Sequence, residues 1–221
     1  MDHEPSQSDF FAHVAQHQLT IEMDQGLFRH LTFKNPETFN RHFHLTTWPA
    51  YLAISGDMGC FVFTRTSDMF SFFRTRPDRD PDFGYWAEKV EAVERSNGLR
   101  EFTMRRYLAA INEAFEGWEF EDEVVKARAR DALTRSGVLD HQDTDHQAIT
   151  TAMDYVCPVT KNRFTDFWDH TLTEYTYRFI WCCRAIAWGI AQYDAAKLPR
   201  GDSPSDRSSL GAAGAATEGA A

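Results

Sequence analysis

The chain has 221 residues, of which 43% are hydrophobic and 14% aromatic, and this composition is typical of a well-packed globular protein. Its formal net charge of −10 at pH 7 disfavours direct binding to nucleic acid or to an anionic membrane, and it permits a basic partner. Because no run of about 18 apolar residues is present, we expect no membrane-spanning helix.

The cysteines and the N-terminus indicate in which cellular compartment the protein is expected. The four cysteines form no CxxC pair, and the acidic, polar N-terminus is unlike a signal peptide. Unpaired cysteines without an export signal are typical of a reducing environment, so we expect a cytoplasmic protein.

The first third of the chain has the alternation of an antiparallel sheet. A short helix is predicted from Ser8 to Gln16, with Ser8 as its cap, and five strands follow it. The predicted strands are Leu19–Met23, Leu27–Phe33, His42–Trp48, Tyr51–Ile54 and Cys60–Thr64. Gly26 suits the first hairpin turn because glycine adopts positive φ, and Asp68 suits the cap of a second helix.

After a charged, proline-broken connector at residues 74–83, three-four spacing of apolar residues predicts helices. The predicted helices are Tyr85–Arg95, one that follows a cap at Thr103, Asp122–Arg135, Asp145–Tyr155 and a long helix across Phe164–Tyr193. Residues 199–221 are mostly small and polar, which predicts a flexible tail.

These elements predict an α+β fold, with an N-terminal antiparallel sheet of about four or five strands packed on a mostly helical C-terminal half. Residues 1–83 form the sheet region with flanking helices in this interpretation. Residues 84–198 form a helical region that packs on the sheet as one globular unit.

Histidines are candidate binding residues on the sheet. His42 and His44 share one face of a predicted strand, and His30 lies on a neighbouring strand. If these strands pair in register, three imidazoles converge on a surface that suits a phosphate, a metal or a partner protein. An ordinary solvated sheet face gives the same pattern. Asp57, in the turn Gly56–Gly59, is a further candidate, although a tight hairpin also explains that turn.

The densest set of potential metal ligands lies between two predicted helices. It consists of Asp140, His141, Asp143, Asp145 and His146. This set predicts a divalent metal site, but Asp143 or Asp145 as a helix N-cap explains the same acids. A second set, Asp9, His13 and His17, is spaced by four on a short helix. We expect no other cofactor.

Two further patterns suit binding. An acidic stretch suits a basic partner and consists of Glu116, Glu119 and Glu121. A solvated helix end explains the same three acids. An aromatic pocket that stacks a nucleotide base is predicted around Trp48, Trp86 and Trp168. The alternative is that these tryptophans are core residues.

One resemblance concerns residues 18–103. The segment ISGDMGCFVFTRTSDMFSFFR, with LFRHLTFKNPET, TTWPAYLAI and YWAEKVEAVERSNGLREF, resembles an uncharacterised protein family of tailed phages and prophages. The resemblance implies a phage gene that acts inside a bacterial host cell, and it implies no catalytic residue.

Three functions fit these observations. The first is a non-enzymatic phage accessory protein that binds a host protein, such as a defence or replication factor, and inhibits or redirects it. The second is a metal-dependent enzyme acting on nucleotides or nucleic acid, with the Asp140–His146 cluster or the histidine face as its site. The third is a sponge for a small molecule such as a nucleotide. Homo-oligomerisation through the long helix is compatible with each.

Overall fold

The computed structural model describes residues 6–75, 79–95 and 98–198, and it contains a six-stranded antiparallel sheet in which every strand pairs with its neighbour in sequence. The strands are β1 (Gln18–Gln25), β2 (Phe28–Asn35), β3 (Thr38–Trp48), β4 (Tyr51–Gly56), β5 (Gly59–Thr64) and β6 (Val90–Val93). The C-terminal half is mainly helical, so the predicted α+β class is confirmed.

Seven α-helices surround and follow this sheet in the described part of the chain. They are α1 (Gln7–Val14), α2 (Met69–Phe73), α3 (Phe83–Ala87), α4 (Met104–Glu116), α5 (Glu123–Thr134), α6 (Asp145–Asp154) and α7 (Tyr177–Lys197). Two short strands, β7 (Arg100–Phe102) and β8 (Thr173–Tyr175), pair as a separate antiparallel ribbon. The predicted tail at 199–221 lies outside the described residues. No helix in the described ranges is both long and apolar enough to cross a bilayer.

The helix α7 packs on the inner face of the sheet. Alternation in β2 to β5 places Leu31, Phe33, Phe43, Leu45, Leu52, Ile54, Phe61 and Phe63 on that face, where all are buried. Gly189 allows close contact, because a Cβ built there would lie 2.9 Å from Leu45 Cδ1 and 3.0 Å from the Phe33 ring.

Two predicted helices are wrong in part. The prediction Tyr85–Arg95 combines α3 with β6, because the Val90–Val93 segment pairs with β5 and gains ladder hydrogen bonds at the sheet edge. The long helix begins only at Tyr177, where the Thr176 hydroxyl accepts a hydrogen bond from the Phe179 amide at 3.2 Å. Before that point Asp166 has a positive φ of 53°, which a helix does not accommodate.

The predicted cap of the first helix is also wrong, while the one at Thr103 is confirmed. The Ser6 hydroxyl, rather than that of Ser8, accepts a hydrogen bond from the Asp9 amide at 3.1 Å, and the Asp9 carboxylate accepts one from the Ser6 amide at 3.2 Å. This reciprocal arrangement satisfies two amides that a bare helix end leaves unpaired.

The hydrophobic residues form two cores. The first lies between the inner sheet face and α1, α2, α3 and α7, and the second lies among α4, α5, α6 and residues 155–172. The chain passes between them through β7 and β8, where the Thr103 amide donates to the Leu172 carbonyl and the Thr176 amide to the Leu99 carbonyl. Residues 103–172 therefore form a helical insertion with its own core, and the predicted domain boundary at residue 83 stays a prediction.

An ion pair between a buried arginine and a partly exposed aspartate connects the sheet to α2. The Arg29 guanidinium, on the inner face, donates to both carboxylate oxygens of Asp68 at 2.9 and 3.3 Å and lies 4.6 Å from the centre of the Phe70 ring. Burial raises the pKa of Asp68, but the hydrogen bonds from Arg29 and from the Phe70 amide outweigh it, so the pKa lies below its usual range.

We expect Asp68→Ala to lower the free energy of unfolding by about 3 kcal/mol, because it leaves the Arg29 charge buried without its partner. Urea denaturation followed by tryptophan fluorescence measures the change. The control is Asp131→Ala, which removes an exposed ion pair with Arg135 and should cost less than about 1 kcal/mol. Equal losses would contradict a special role for the Arg29–Asp68 pair.

A second prediction concerns Gly56, at the end of β4. Its φ is +149°, and a Cβ built there would lie 2.2 Å from the His42 carbonyl oxygen and 2.8 Å from Phe43 Cα. Because only backbone movement relieves this overlap, Gly56→Ala should cost about 2–3 kcal/mol in the same denaturation experiment. In the control Gly117→Ala the nearest atom is 3.4 Å away and φ is −76°, so a loss as large as that of Gly56→Ala would refute the argument.

Candidate functional site

The face of the sheet opposite α7 is the candidate site, and we call it the outer sheet face. It comprises the residues that alternate with the buried ones along β1 to β5: Met23, Phe28, His30, Thr32, His44, Thr46, Trp48, Tyr51, Ala53, Ser55, Cys60 and Val62. None of these side chains is buried, and none belongs to either hydrophobic core. An antiparallel sheet tolerates one face in contact with solvent.

The strand register brings the three predicted histidines together. His44 pairs with Thr32 and His30 pairs with Thr46, so the two imidazoles are diagonal neighbours on adjacent strands. Their rings stack with centroids 5.5 Å apart and an angle of 8°, and the ring of His42 meets that of His44 edge-on at 5.7 Å. The imidazoles therefore converge as the alternation indicated, and their binding role stays a prediction.

Neighbouring groups fix the orientation of each ring. His30 Nδ1 and the Thr46 hydroxyl lie 2.8 Å apart, and His44 Nδ1 and the Thr32 hydroxyl 3.0 Å apart. His42 Nδ1 donates to the Phe39 carbonyl at 2.8 Å. These hydrogen bonds use Nδ1 of each ring.

Electrostatics favour a neutral His44. Burial lowers the pKa of His44 most, the nearby His30, His42 and Lys34 lower it further, and Glu22 opposes them. The pKa therefore lies below its ordinary value, and the imidazole is uncharged at neutral pH. A neutral ring gives a partner polar contacts without the cost of removing a charge from water.

Aromatic and apolar side chains occupy one end of the outer sheet face. The Trp48 and Tyr51 rings stack with centroids 5.2 Å apart and an angle of 14°. Phe28 is 51% exposed and Met23 is 46% exposed, although both are apolar. Met23 pairs with His30, so this apolar end is continuous with the imidazoles. Exposed apolar patches bordered by polar groups are typical of interaction surfaces.

Sequence reasoning identified Trp48 and the histidines but missed Met23, Phe28 and Tyr51. The alternation contained the necessary signal for Phe28 and Tyr51, which directly precede the inward-facing Arg29 and Leu52. It did not for Met23, because alternation with Leu19 and Ile21 places that residue on the inner face. Their proximity to the histidines depends on the register, and a bulge between Ile21 and Met23 shifts that register in β1.

Asp57 lies in the β4–β5 turn and stabilises the neighbouring chain. Its carboxylate accepts a hydrogen bond from the Arg41 amide at 2.8 Å, and its carbonyl accepts one from Arg178 at 3.2 Å. Arg41 has a positive φ of 58°, so these contacts support a locally strained backbone. The carboxylate has a structural role here, and a binding role stays a prediction.

The predicted acidic surface is partly used within the protein. Glu116 accepts hydrogen bonds from Lys126 at 2.6 Å and from Arg130 at 2.5 Å, which connect α4 to α5. The hydrogen bond from Lys126 is the main cause that lowers the pKa of Glu116. Glu119 and Glu121 are exposed, so two of the three predicted acids face solvent.

The residues of the predicted metal cluster lie just before and within the first turn of α6. His141 Nε2 is 3.3 Å from Asp143 Oδ1, and both side chains are more than three quarters exposed. Asp145 accepts a hydrogen bond from the amide of His146, and Asp140 is exposed. The cap of α6 is Thr144, rather than either aspartate, because its hydroxyl accepts from the Gln147 amide at 3.2 Å.

The second predicted metal set is held apart by other contacts. Asp9 belongs to the cap of α1, His13 Nδ1 accepts a hydrogen bond from the Trp181 indole at 3.4 Å, and His17 Nε2 donates to the Arg41 carbonyl at 2.9 Å. Across residues 6–75, 79–95 and 98–198, no group of three or more His, Cys, Asp or Glu side chains is arranged to hold a metal ion. Metal binding stays a prediction.

The predicted tryptophan pocket is wrong, because its members lie in three different places. Trp48 is on the outer sheet face, whereas Trp86 is 4% exposed in the first core, against the ring of Phe73. Trp168 is 55% exposed in the helical insertion.

In comparisons with protein-family models, with curated proteins and with solved structures, none matches this chain. The choice of the outer sheet face as the candidate site therefore rests only on the geometry described above.

We expect the melting temperature to fall as the pH is lowered from 7.5 to 5.5, in part through His44. A histidine with a lowered pKa in the folded state gives its full contribution to stability above the unfolded pKa, and this contribution is lost as the pH falls from that value through the lower folded pKa. His44→Gln should reduce the fall, as measured by differential scanning calorimetry. His146→Gln, on the exposed start of α6, should leave it unchanged, and identical pH profiles for all three proteins would contradict the assignment.

Proposed function

We propose that this chain is a non-enzymatic accessory protein of phage or prophage origin that binds a protein of the bacterial host on its outer sheet face and blocks or redirects it. The exposed, contiguous array of aromatic side chains and imidazoles on that face carries the proposal. The resemblance of residues 18–103 to a family of tailed phages and prophages supports the origin.

The residue types on the outer sheet face suit a protein partner. Tyrosine, tryptophan and methionine are enriched at protein interfaces, where aromatic anchors supply most of the binding energy. The stacked Trp48 and Tyr51 rings are already oriented by each other, so little side-chain entropy is lost on docking. The threonines and imidazoles beside them supply hydrogen bonds around this apolar centre.

The partner is expected to present an apolar or aromatic anchor with few charges. Glu22 and Lys34, the acid and the base that act on His44, have opposite signs, and none of the residues named above as the outer sheet face is an acid, a lysine or an arginine. This face therefore has no dominant sign of charge. A complex formed there should depend little on salt, because screening weakens contacts between exposed charges. Binding on the acidic stretch of Glu119 and Glu121 would weaken markedly with salt.

The proposal predicts that Phe28→Glu weakens a complex with the host protein at least about tenfold, because it places a charge in the centre of an apolar contact. The tagged protein captures its partner from bacterial lysate, the partner is identified by mass spectrometry, and the affinity is measured with both proteins purified. Phe28 is half exposed, so the variant is expected to fold.

Two control variants distinguish the surfaces. Val124→Glu, at an apolar position of α5 that is 67% exposed, should leave the affinity unchanged. A combined Glu119→Lys and Glu121→Lys variant should also bind normally; loss of binding in it alone would assign the interface to the acidic stretch. A dimer of the chain that Phe28→Glu dissociates would assign the outer sheet face to self-association, and the absence of any complex would refute the proposal.

The metal-dependent enzyme is the second candidate, with the adjacent imidazoles of His30, His42 and His44 as its site, although no three described His, Cys, Asp or Glu side chains are arranged to hold a metal ion. Elemental analysis of the purified protein separates the two functions. A stoichiometric metal that His44→Gln removes would favour the enzyme, and its absence would leave the binding protein as the better account.

A further inference from the structure

A cavity of about 280 Å³ lies between α1, the described residues 75 and 79–81 of the connector, and the C-terminal half of α7. Because α7 covers the inner face of the sheet, this cavity lies on the opposite side of the sheet from the outer sheet face. The side chains that decide its chemistry are Phe10, Phe11, Arg79, Asp80, Arg184 and Trp188. The cavity is a second candidate site, separate from the proposed docking surface.

Three aromatic side chains form the apolar wall. The Trp188 ring is held from behind by the sheet, since it meets the Phe33 ring edge-on at 5.6 Å and the Phe43 ring at 6.2 Å. Phe10 is buried, whereas Phe11, whose ring lies 5.7 Å from it, is 46% exposed. A fixed indole with an exposed phenyl ring in the same cavity suits a flat apolar body.

The polar side of the cavity contains a fixed ion pair. Arg184 is only 6% exposed, and its Nε and Nη2 donate to the two carboxylate oxygens of Asp80 at 2.8 and 2.9 Å. Two parallel hydrogen bonds of this kind hold both groups in place and make the pair neutral overall. Asp80 and Arg184 therefore shape the cavity without adding net charge.

Arg79 adds a positive charge beside this neutral pair. Its side chain is exposed, and it forms no ion pair with any residue in the described ranges. A guanidinium is always charged and presents a planar set of donors that matches a carboxylate. The cavity thus combines an aromatic wall with one cation that no described acid neutralises.

We infer that this cavity binds a small organic anion with a flat apolar body, of the class of monocyclic aromatic carboxylates. The body lies against Trp188 and Phe11, and the carboxylate pairs with Arg79. An apolar cavity of about 150 Å³ admits benzene, so 280 Å³ admits a ring with a short acidic side chain. The phosphate of a nucleotide carries nearly two negative charges, which the single charge of Arg79 does not balance beside the neutral Asp80–Arg184 pair.

The test titrates the full chain with phenylacetate, with its neutral counterpart phenylacetamide, and with AMP, by isothermal calorimetry at low salt. We expect saturable binding of phenylacetate, binding of phenylacetamide at least about fivefold weaker, and no binding of AMP. Equal affinities for the acid and the amide would refute the role of Arg79, and no binding of either at millimolar concentration would refute the site.

Variants locate the ligand. Ala191→Leu fills the cavity from an exposed position of α7 and should abolish binding of both aromatic probes, while leucine preserves the helix. Arg79→Gln should weaken phenylacetate about fivefold and leave phenylacetamide unchanged. The control Arg128→Gln, at an exposed arginine of α5, should change neither, and normal binding by the Ala191→Leu protein would overturn the proposal.

Discussion

The contact between α7 and the inner face of the sheet determines the arrangement of the rest of the first core. Gly189 brings the helix backbone close to Leu45 and Phe33 on the sheet. The middle of α7 is also buried on the sides that face away from the sheet, and this burial requires other elements to cover those sides. The helix α1 does so through Phe10, whose ring meets that of Trp181 at 5.4 Å. The connector and α2 cover the remainder through the Asp80–Arg184 ion pair and the contact between Phe70 and Tyr193.

This wrapping explains why the two sides of the sheet differ. On the side covered by α7, a cavity lies where α1, residues 79–81 and α7 meet. The other side keeps its half-buried threonines, imidazoles and aromatic rings in contact with solvent. One alternating sequence thus supplies both a hydrophobic core and a surface that is available to a partner.

The parts of the fold that depend on local pattern could be predicted, and the parts that depend on distant contacts could not. The first five strands alternate clearly, and the convergence of His30, His42 and His44 follows from alternation once the register is assumed. Val90–Val93 is short and becomes a strand only because β5 offers an edge to pair with. Phe164 and Phe167 have helical spacing, but they pack in the second core outside any α-helix, with only a three-residue 3-10 helix at Phe167–Asp169, so spacing alone extended α7 too far. The hydrogen bonds of Glu116 with Lys126 and Arg130 could not be predicted from one segment, because they join two helices. The cavity likewise depends on contacts between segments that are distant in sequence.

The ribbon of β7 and β8 has a consequence for how such a protein varies. Phe102 and Thr173 are direct partners in the ribbon, and the whole helical insertion leaves and returns at this one point. Paired residues of antiparallel strands lie about 5 Å apart, a gap that a two-residue turn closes. The insertion can therefore be shortened, lengthened or exchanged for another domain without changing the packing of α7 on the sheet.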